Sequence, residues 1–232
     1  MRQIILDTET TGLETSDGHR VIEIGCVELI DRRLSGNHFH QYINPERDIE
    51  DGALEVHGIS REFLRDKPVF GEVADDLLEF VEGAELIIHN APFDIGFLDY
   101  ELSLLGRPDR MDDHSSVLDT LELARDLHPG QRNSLDALCK RYEVDNSSRT
   151  LHGALLDAEI LADVYLAMTG GQSALGLSFQ SPEKAELESG GVAFEDRPPL
   201  QVLQANEQET AAHTARLKAI QEKSGHCIWD DL

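Results

Sequence analysis

Two acids, Asp7 and Glu9, sit one residue apart in the stretch IILDTETTGL at positions 4–13, directly after the apolar run Ile4-Ile5-Leu6. Strand side chains alternate between faces, so residues two apart point the same way. If the run is a strand, both carboxylates share one face at its end. A wholly apolar run implies a strand near a sheet centre. Carboxylates there are costly unless paired or metal-bound; the competing reading is a solvated strand terminus.

Three further residues extend the set. Asp94, in IIHNAPFD, falls in the first turn of an expected helix after a strand. It reads either as a site acid or as an acid favourably placed on the helix dipole. Asp157, in LHGALLDAEIL, lies in another expected helix, with His152 five residues earlier. Five residues turn a helix by about 500°, leaving the pair roughly 140° apart. They can meet only if His152 stands at a fraying helix start, with Thr150 as the cap; otherwise they are a surface histidine and a solvated acid. Taken together, carboxylates from strand and helix ends suit hard divalent cations such as Mg²⁺ or Mn²⁺. Two such ions can clamp the attacking and leaving oxygens of an in-line phosphoryl displacement. A histidine can take the proton from the attacking water. With no nucleophilic Ser or Cys in the set, this points to metal-assisted hydrolysis of a phosphodiester.

The elements that must position these residues are legible as patterns. Arg2 to Thr8, Val21 to Asp31 and Leu34 to Ile43 read as strands with short links, an antiparallel meander. Phe70 to Val81 carries apolar residues at 70, 73, 74, 77, 78 and 81, which is helical spacing. Ala84 to Ile88 is a short strand. A helix follows with Asn90 as cap, Pro92 in its first turn and Gly106 past its end. HSSVLDT offers another strand, and helices are expected at about 118–127, 134–141 and 151–168. This order implies an α/β fold with a mixed sheet flanked by helices, the layout of a ribonuclease-H-like fold, over residues 1–171. Residues 172–200, rich in Gly, Ser, Pro and Glu, read as a flexible linker. Residues 201–232 hold one amphipathic helix, about 206–223, which cannot make a core of its own and is expected to order against a partner.

Composition sets bounds. The 232 residues are 40% hydrophobic, enough for a core. No run approaches the roughly 18 apolar residues a membrane span needs, and the early charges argue against a signal peptide. Cys26, Cys139 and Cys227 show no C-x-x-C pairing, so neither a zinc site nor a disulfide framework is expected, and a reducing cytoplasm is the simplest setting. The net charge of −25 argues against tight intrinsic binding of nucleic acid. Metal ions in an acidic site, or a partner that delivers the substrate, would relieve that objection.

The stretches DTETTGL, HNAPFD and HGALLD resemble the DEDD family of 3′→5′ exonucleases in its histidine-bearing branch. The intervening text, including VIEIGCVEL, VHGI and PGQRNSLDALCKRYEVDNSSRTLHGALLDAEILADVYLAMTGGQ, is similar to the family of proofreading epsilon subunits of bacterial DNA polymerase III. The likeness is close over about 1–172 and weaker in the tail. It implies that Asp7, Glu9, Asp94 and Asp157 hold two metal ions, Mg²⁺ or Mn²⁺, with His152 as general base. It implies that the Thr10-Thr11-Gly12 backbone with Leu13 lines the terminal-nucleotide pocket, that His57 approaches the nucleotide, and that Asn90 and Phe93 flank the single-stranded DNA 3′ end. Some relatives carry a glutamate shortly before VHG; here that position is Gly52, next to Asp51. The hexapeptide QSALGL resembles sliding-clamp-binding peptides, through Gln172, Leu175 and Leu177. The C-terminal segment would bind the polymerase catalytic (alpha) subunit, with Trp229, the only tryptophan, as an interface anchor. A small theta-type subunit would join where one exists. Two rivals remain: an RNA 3′-end trimming exonuclease on the same fold, and a non-catalytic stabilising subunit with vestigial acids.

Overall fold

The computed structural model describes residues 1–147, 149, 151–170 and 205–225. It divides into two units, Met1–Gly176 and Leu177–Leu232. In the first, strands β1 (Arg2–Thr10), β2 (Val21–Ile30) and β3 (Arg33–Tyr42) form the expected antiparallel meander. The β2–β3 link turns on Asp31 and Arg32, both at positive φ, which suits the right-handed twist of a two-residue hairpin loop. Helices α1 (Asp51–His57), α2 (Arg61–Leu64) and α3 (Phe70–Val81) follow. Then come β4 (Glu85–Ile88), α4 (Ala91–Leu104), α5 (Met111–His114), β5 (Ser116–Asp119), α6 (Thr120–Leu127), α7 (Leu135–Tyr142) and α8 (Ala154–Thr169). The sheet order is β3-β2-β1-β4-β5, with β4 parallel to both β1 and β5.

β1 therefore lies at the sheet centre, and its alternation divides the core. Ile4 and Leu6 face the cluster built on α3 and α4, and all six periodic residues of α3 are buried there. Ile5 faces the cluster built on α7 and α8, with Val27, Ile87, Leu138 and Leu161. Asp7 and Glu9 continue the Ile5 face, so they emerge beneath α8. That helix buries residues around most of its circumference, as expected of a core helix.

Several boundaries shift by a residue or two, and two of the shifts bear on the site. Leu118 belongs to β5, where it pairs with Ile87, and α6 starts only at Thr120, with the Asp119 side chain capping Leu121 N. Sheet pairing here overrides helical spacing. α8 starts at Ala154 behind Gly153, not at Leu151 under a Thr150 cap. The second unit contains α9 (Glu207–Ser224), the helix expected near 206–223. It opens on a reciprocal cap in which Asn206 and Glu209 each accept the other's backbone N–H at 2.9 Å. Gln172, Leu175, Leu177, Trp229 and the expected linker lie outside the described residues.

One glycine sets the height of α8 over the sheet. Gly25 pairs with Asp7 across β1–β2. A Cβ on Gly25 would fall 2.2 Å from Leu155 N and 2.3 Å from the Ala154 carbonyl carbon. The first turn of α8 thus rests on bare β2 backbone, which brings Asp157 down to the level of Asp7. Gly25→Ala must lift that turn. We expect it to cost about 3 kcal/mol, the upper end of the overpacking range, and to weaken divalent-metal stabilisation. Thermal unfolding with and without Mn²⁺ measures both, and an unchanged midpoint would contradict the close seating.

Candidate active site

Asp7, Glu9, Asp94, His152 and Asp157 all line one open pocket of about 760 Å³. β1 delivers the first two acids from the sheet centre. Asp94 arrives on the first turn of α4, where its Oδ1 accepts the Thr8 backbone N–H at 2.9 Å and the Thr8 hydroxyl at 2.7 Å. Asp157 comes from the first turns of α8, and its N–H donates to Gly153 O at 2.8 Å. Asp94 and Asp157 are buried.

His152 reaches the site in the way the helical arithmetic seemed to forbid. It precedes α8 and is not part of the helix, so the roughly 140° separation does not apply. Its backbone N–H donates to Val56 O at 3.1 Å, fixing the segment against α1. Its half-buried ring points Nδ1 toward Asp157 Oδ2 at 3.2 Å. Glu9, His152 and Asp157 each offer a ligand atom within 4.8 Å of the others.

The expected nucleotide contacts are more dispersed. Leu13, Asn90 and Phe93 line the same pocket, and Phe93 packs on Phe97 with ring centroids 4.9 Å apart. Thr10, the last residue of β1, and Thr11 and Gly12 just after it are buried and do not line the pocket. The Thr10 hydroxyl donates to Gly12 O at 2.6 Å, and the Thr11 hydroxyl meets His19 Nδ1 at 3.0 Å. The His19 ring closes so tightly over Gly12 that a Cβ there would lie 2.3 Å from it. Asn90 holds the residue position before α4 in left-handed backbone, but its side chain makes no capping bond. His57 is buried. Its Nδ1 accepts the Ile59 N–H at 2.9 Å, its Nε2 makes no well-formed hydrogen bond among the described residues, and burial pushes its pKa down against the pull of the nearby Thr10 backbone.

Burial dominates the electrostatics, and neighbouring carboxylates add to it. Asp7 is pushed well above the usual carboxylate range, first by burial and then by Asp94, Glu9 and Asp157. Glu9 is pushed up to about 8 by burial and then by Asp157, Glu23 and Asp94. Glu23 stands directly across from it on β2, tied to His40 Nε2 at 2.7 Å. Asp94 rises to about 7 through burial, against the pull of the Thr8 hydrogen bonds. Such a cluster is short of positive charge and offers only oxygen and imidazole donors. That donor set fits a divalent metal ion.

One site residue escaped sequence reading. Arg149 is nearly buried and forks onto Asp157, with Nε to Oδ1 at 2.5 Å and Nη2 to Oδ2 at 2.7 Å. The same Nη2 donates to His152 Nδ1 at 2.8 Å, and Nη1 reaches Asp136 at 2.7 Å. Its only signal was an arginine just ahead of an H-x-x-x-x-D motif in a chain with 20 basic and 45 acidic residues. Thr8 and Glu23, whose contacts lie across strands and helices, had none.

Comparison with known proteins places the chain in a family. The family model described as Exonuclease matches residues 4–165. The chain is 52% identical to the DNA polymerase III subunit epsilon of Escherichia coli, over 98% of this chain and 97% of that one. It is similar in structure to exonuclease X in complex with 5′ overhanging duplex DNA (TM-score 0.57, 28% identity, 72% of this chain and 91% of that one). The zinc-bound complex of E. coli exonuclease I with single-stranded DNA shares the fold (TM-score 0.60, 19% identity, 72% and 40%). The chain thus belongs to the exonuclease family, hydrolases of nucleic acid ends. Within that family it falls with the DNA polymerase III epsilon subunits, the 3′→5′ proofreading exonucleases. Among the described residues no helix is long and apolar enough to cross a membrane.

The raised carboxylate pKa values predict a pH dependence. Glu9 goes from an ordinary 4.5 to about 8, and Asp94 from 3.8 to about 7. Folded values above unfolded ones mean that the folded state binds these protons more tightly. Their contribution is full below about pH 4 and is lost as pH rises through roughly 7 to 8. In EDTA the melting temperature should therefore fall by several degrees between about pH 5 and 9, less steeply in Glu9→Gln. Saturating Mn²⁺ should flatten the profile, because metal binds the ionised acids.

Proposed function

We propose that the chain hydrolyses the 3′-terminal phosphodiester of single-stranded DNA, releasing deoxynucleoside 5′-monophosphates, with two divalent ions, Mg²⁺ or Mn²⁺, held by Asp7, Glu9, Asp94 and Asp157. The observation that carries this reading is the convergence of these four carboxylates and His152 in one pocket of an exonuclease fold. Bound ions supply charge stabilisation to the attacking and leaving oxygens. The residues divide the remaining work. His152, accessible at the pocket edge, takes the proton from the attacking water. Leu13, Asn90 and Phe93 pack around the terminal nucleotide, while the Thr10–Gly12 turn and His57 shape its seat from behind.

Residues 1–171 form the exonuclease domain, 172–200 a linker and 201–232 a polymerase-binding segment. The relatives' role as polymerase III subunits supports assembly with an alpha-type catalytic subunit through that last segment, and with a theta-type subunit where one exists. Gln172, Leu175 and Leu177 would engage a sliding clamp. Such an assembly works in the cytoplasm, with no membrane component. It also accommodates the charge of −25, because tethering supplies effective concentration without intrinsic DNA affinity. A mismatched terminus frays more readily, so it reaches the pocket single-stranded more often than a paired one.

Asp7→Ala and Asp157→Ala should reduce hydrolysis of a 3′-labelled oligonucleotide to background while retaining the native circular dichroism spectrum. His152→Ala should lower kcat by about 10² to 10⁴, the usual range for general-base removal, with Mn²⁺ affinity largely kept. Single-stranded DNA should be degraded in preference to RNA of the same sequence, in an EDTA-sensitive reaction. Equal or faster RNA trimming would favour the RNA exonuclease reading.

A further inference from the structure

Arg149 uses all three guanidinium nitrogens within the acidic pocket. Nε and Nη2 bridge both oxygens of Asp157, Nη2 also meets His152 Nδ1, and Nη1 meets Asp136. Its side chain is 8% exposed. This is the strong, planar, bidentate form of carboxylate pairing. The groups it engages are the ones that matter to the chemistry proposed above: the Asp157 carboxylate and the inward-facing nitrogen of His152, two of the three groups whose donor atoms lie within 4.8 Å of one another.

A guanidinium and a divalent cation compete for those groups. Like charges a few ångströms apart repel strongly in a partly buried site, and Arg149 already occupies an acceptor position on each oxygen of Asp157 and on His152 Nδ1. Metal loading therefore favours departure of Arg149 from Asp157. The local structure permits that departure. Arg149 lies between α7 and α8, outside any helix or strand, in a turn closed by its own N–H to Asn146 O at 3.0 Å. The backbones of Asp157 and His152 are held independently, by α8 and by the Val56 carbonyl, so only the His152 ring orientation depends on Arg149. Once displaced, the side chain stays tethered at the pocket wall. Arg149 and Arg125 are the arginines lining that pocket, and no lysine does so among the described residues. The anion that enters such a site is a substrate phosphate.

We propose that Arg149 is an exchangeable cation of the active site: it neutralises Asp157 and orients His152 before metal arrives, yields Asp157 to the divalent ion, and then positions the phosphate of the bound DNA end. The proposal rests on the two-metal reading of the same pocket.

The test uses the full chain as wild type, Arg149→Met and Arg149→Lys, with Mn²⁺ affinity from titration calorimetry, melting temperature in EDTA, and hydrolysis of a 3′-ended oligonucleotide at saturating Mn²⁺. Arg149→Met should bind Mn²⁺ roughly tenfold more tightly, because a charge-assisted competitor has been removed. It should melt lower than wild type in EDTA, and its kcat/KM at saturating Mn²⁺ should fall roughly tenfold for want of the phosphate contact. Arg149→Lys, which keeps the charge and loses the fork, should lie between the two in both affinity and kcat/KM, and stands in if the methionine variant fails to fold. A merely structural arginine would move affinity and kcat/KM down together. Unchanged or weaker Mn²⁺ binding in the variants, or unchanged kcat/KM, overturns the proposal. Wild type that binds no Mn²⁺, or that binds it equally well after Asp7→Ala, overturns the two-metal reading instead.

Discussion

Burial of carboxylates side by side is the constraint around which this fold is organised. Asp7, Glu9, Asp94 and Asp157 share one pocket; burial, then neighbouring carboxylates, drives up the pKa values of Asp7 and Glu9, and burial, with a smaller push from Asp119, drives up that of Asp94. Two unit charges about 4 Å apart near a protein surface repel by about 4 kcal/mol, so the arrangement would relax if the elements carrying it could separate. They are held by what lies behind the acids. Ile4 and Leu6 lock β1 into one core layer, Ile5 into the other, and all three are fully buried. Hydrophobic packing on both sheet faces thus offsets an electrostatic cost concentrated at one end of the central strand, and that cost is what gives the site its demand for a cation.

The rigid and the movable parts of the site divide along the same line. The carboxylates sit on regular elements: two on the central strand, one on α4 clamped by Thr8, one on α8 lowered onto the Gly25 backbone. Their positions follow from backbone geometry and not from long side chains, as suits groups that under the proposed function hold an ion at fixed distance. His152 and Arg149 lie instead in the segment between α7 and α8. Groups that exchange protons or partners are better placed where a few dihedral angles can adjust.

Much of this was legible in the sequence because it depends on spacing within single elements. The i, i+2 relation of Asp7 and Glu9, the six-residue stripe of α3 and the run of β4 each specify a face without reference to the rest of the chain. What could not be read depends on contacts between elements or on loop conformation. His152 looked misaligned with Asp157 because the helix was extended three residues too far, and only the packing of Leu151 against Gly58 and of His152 N–H against Val56 O explains why the segment leaves helical geometry. Helices α1, α2 and α5, four to seven residues long, are too short to show a period. Arg149 and Glu23 are ordinary charged residues in sequence, and they become site residues only through contacts made across the fold.

Those contacts also link the two ends of the proposed reaction. His152 lies close enough to His57 to help hold its pKa down. Val56, whose carbonyl anchors His152, immediately precedes His57, the buried histidine behind the Thr10–Gly12 turn. Gly58, in left-handed backbone at the end of α1, leaves room for Leu151, the neighbour of His152. The seat expected for the terminal nucleotide and the residue expected to activate water are therefore joined through three consecutive residues and one backbone hydrogen bond.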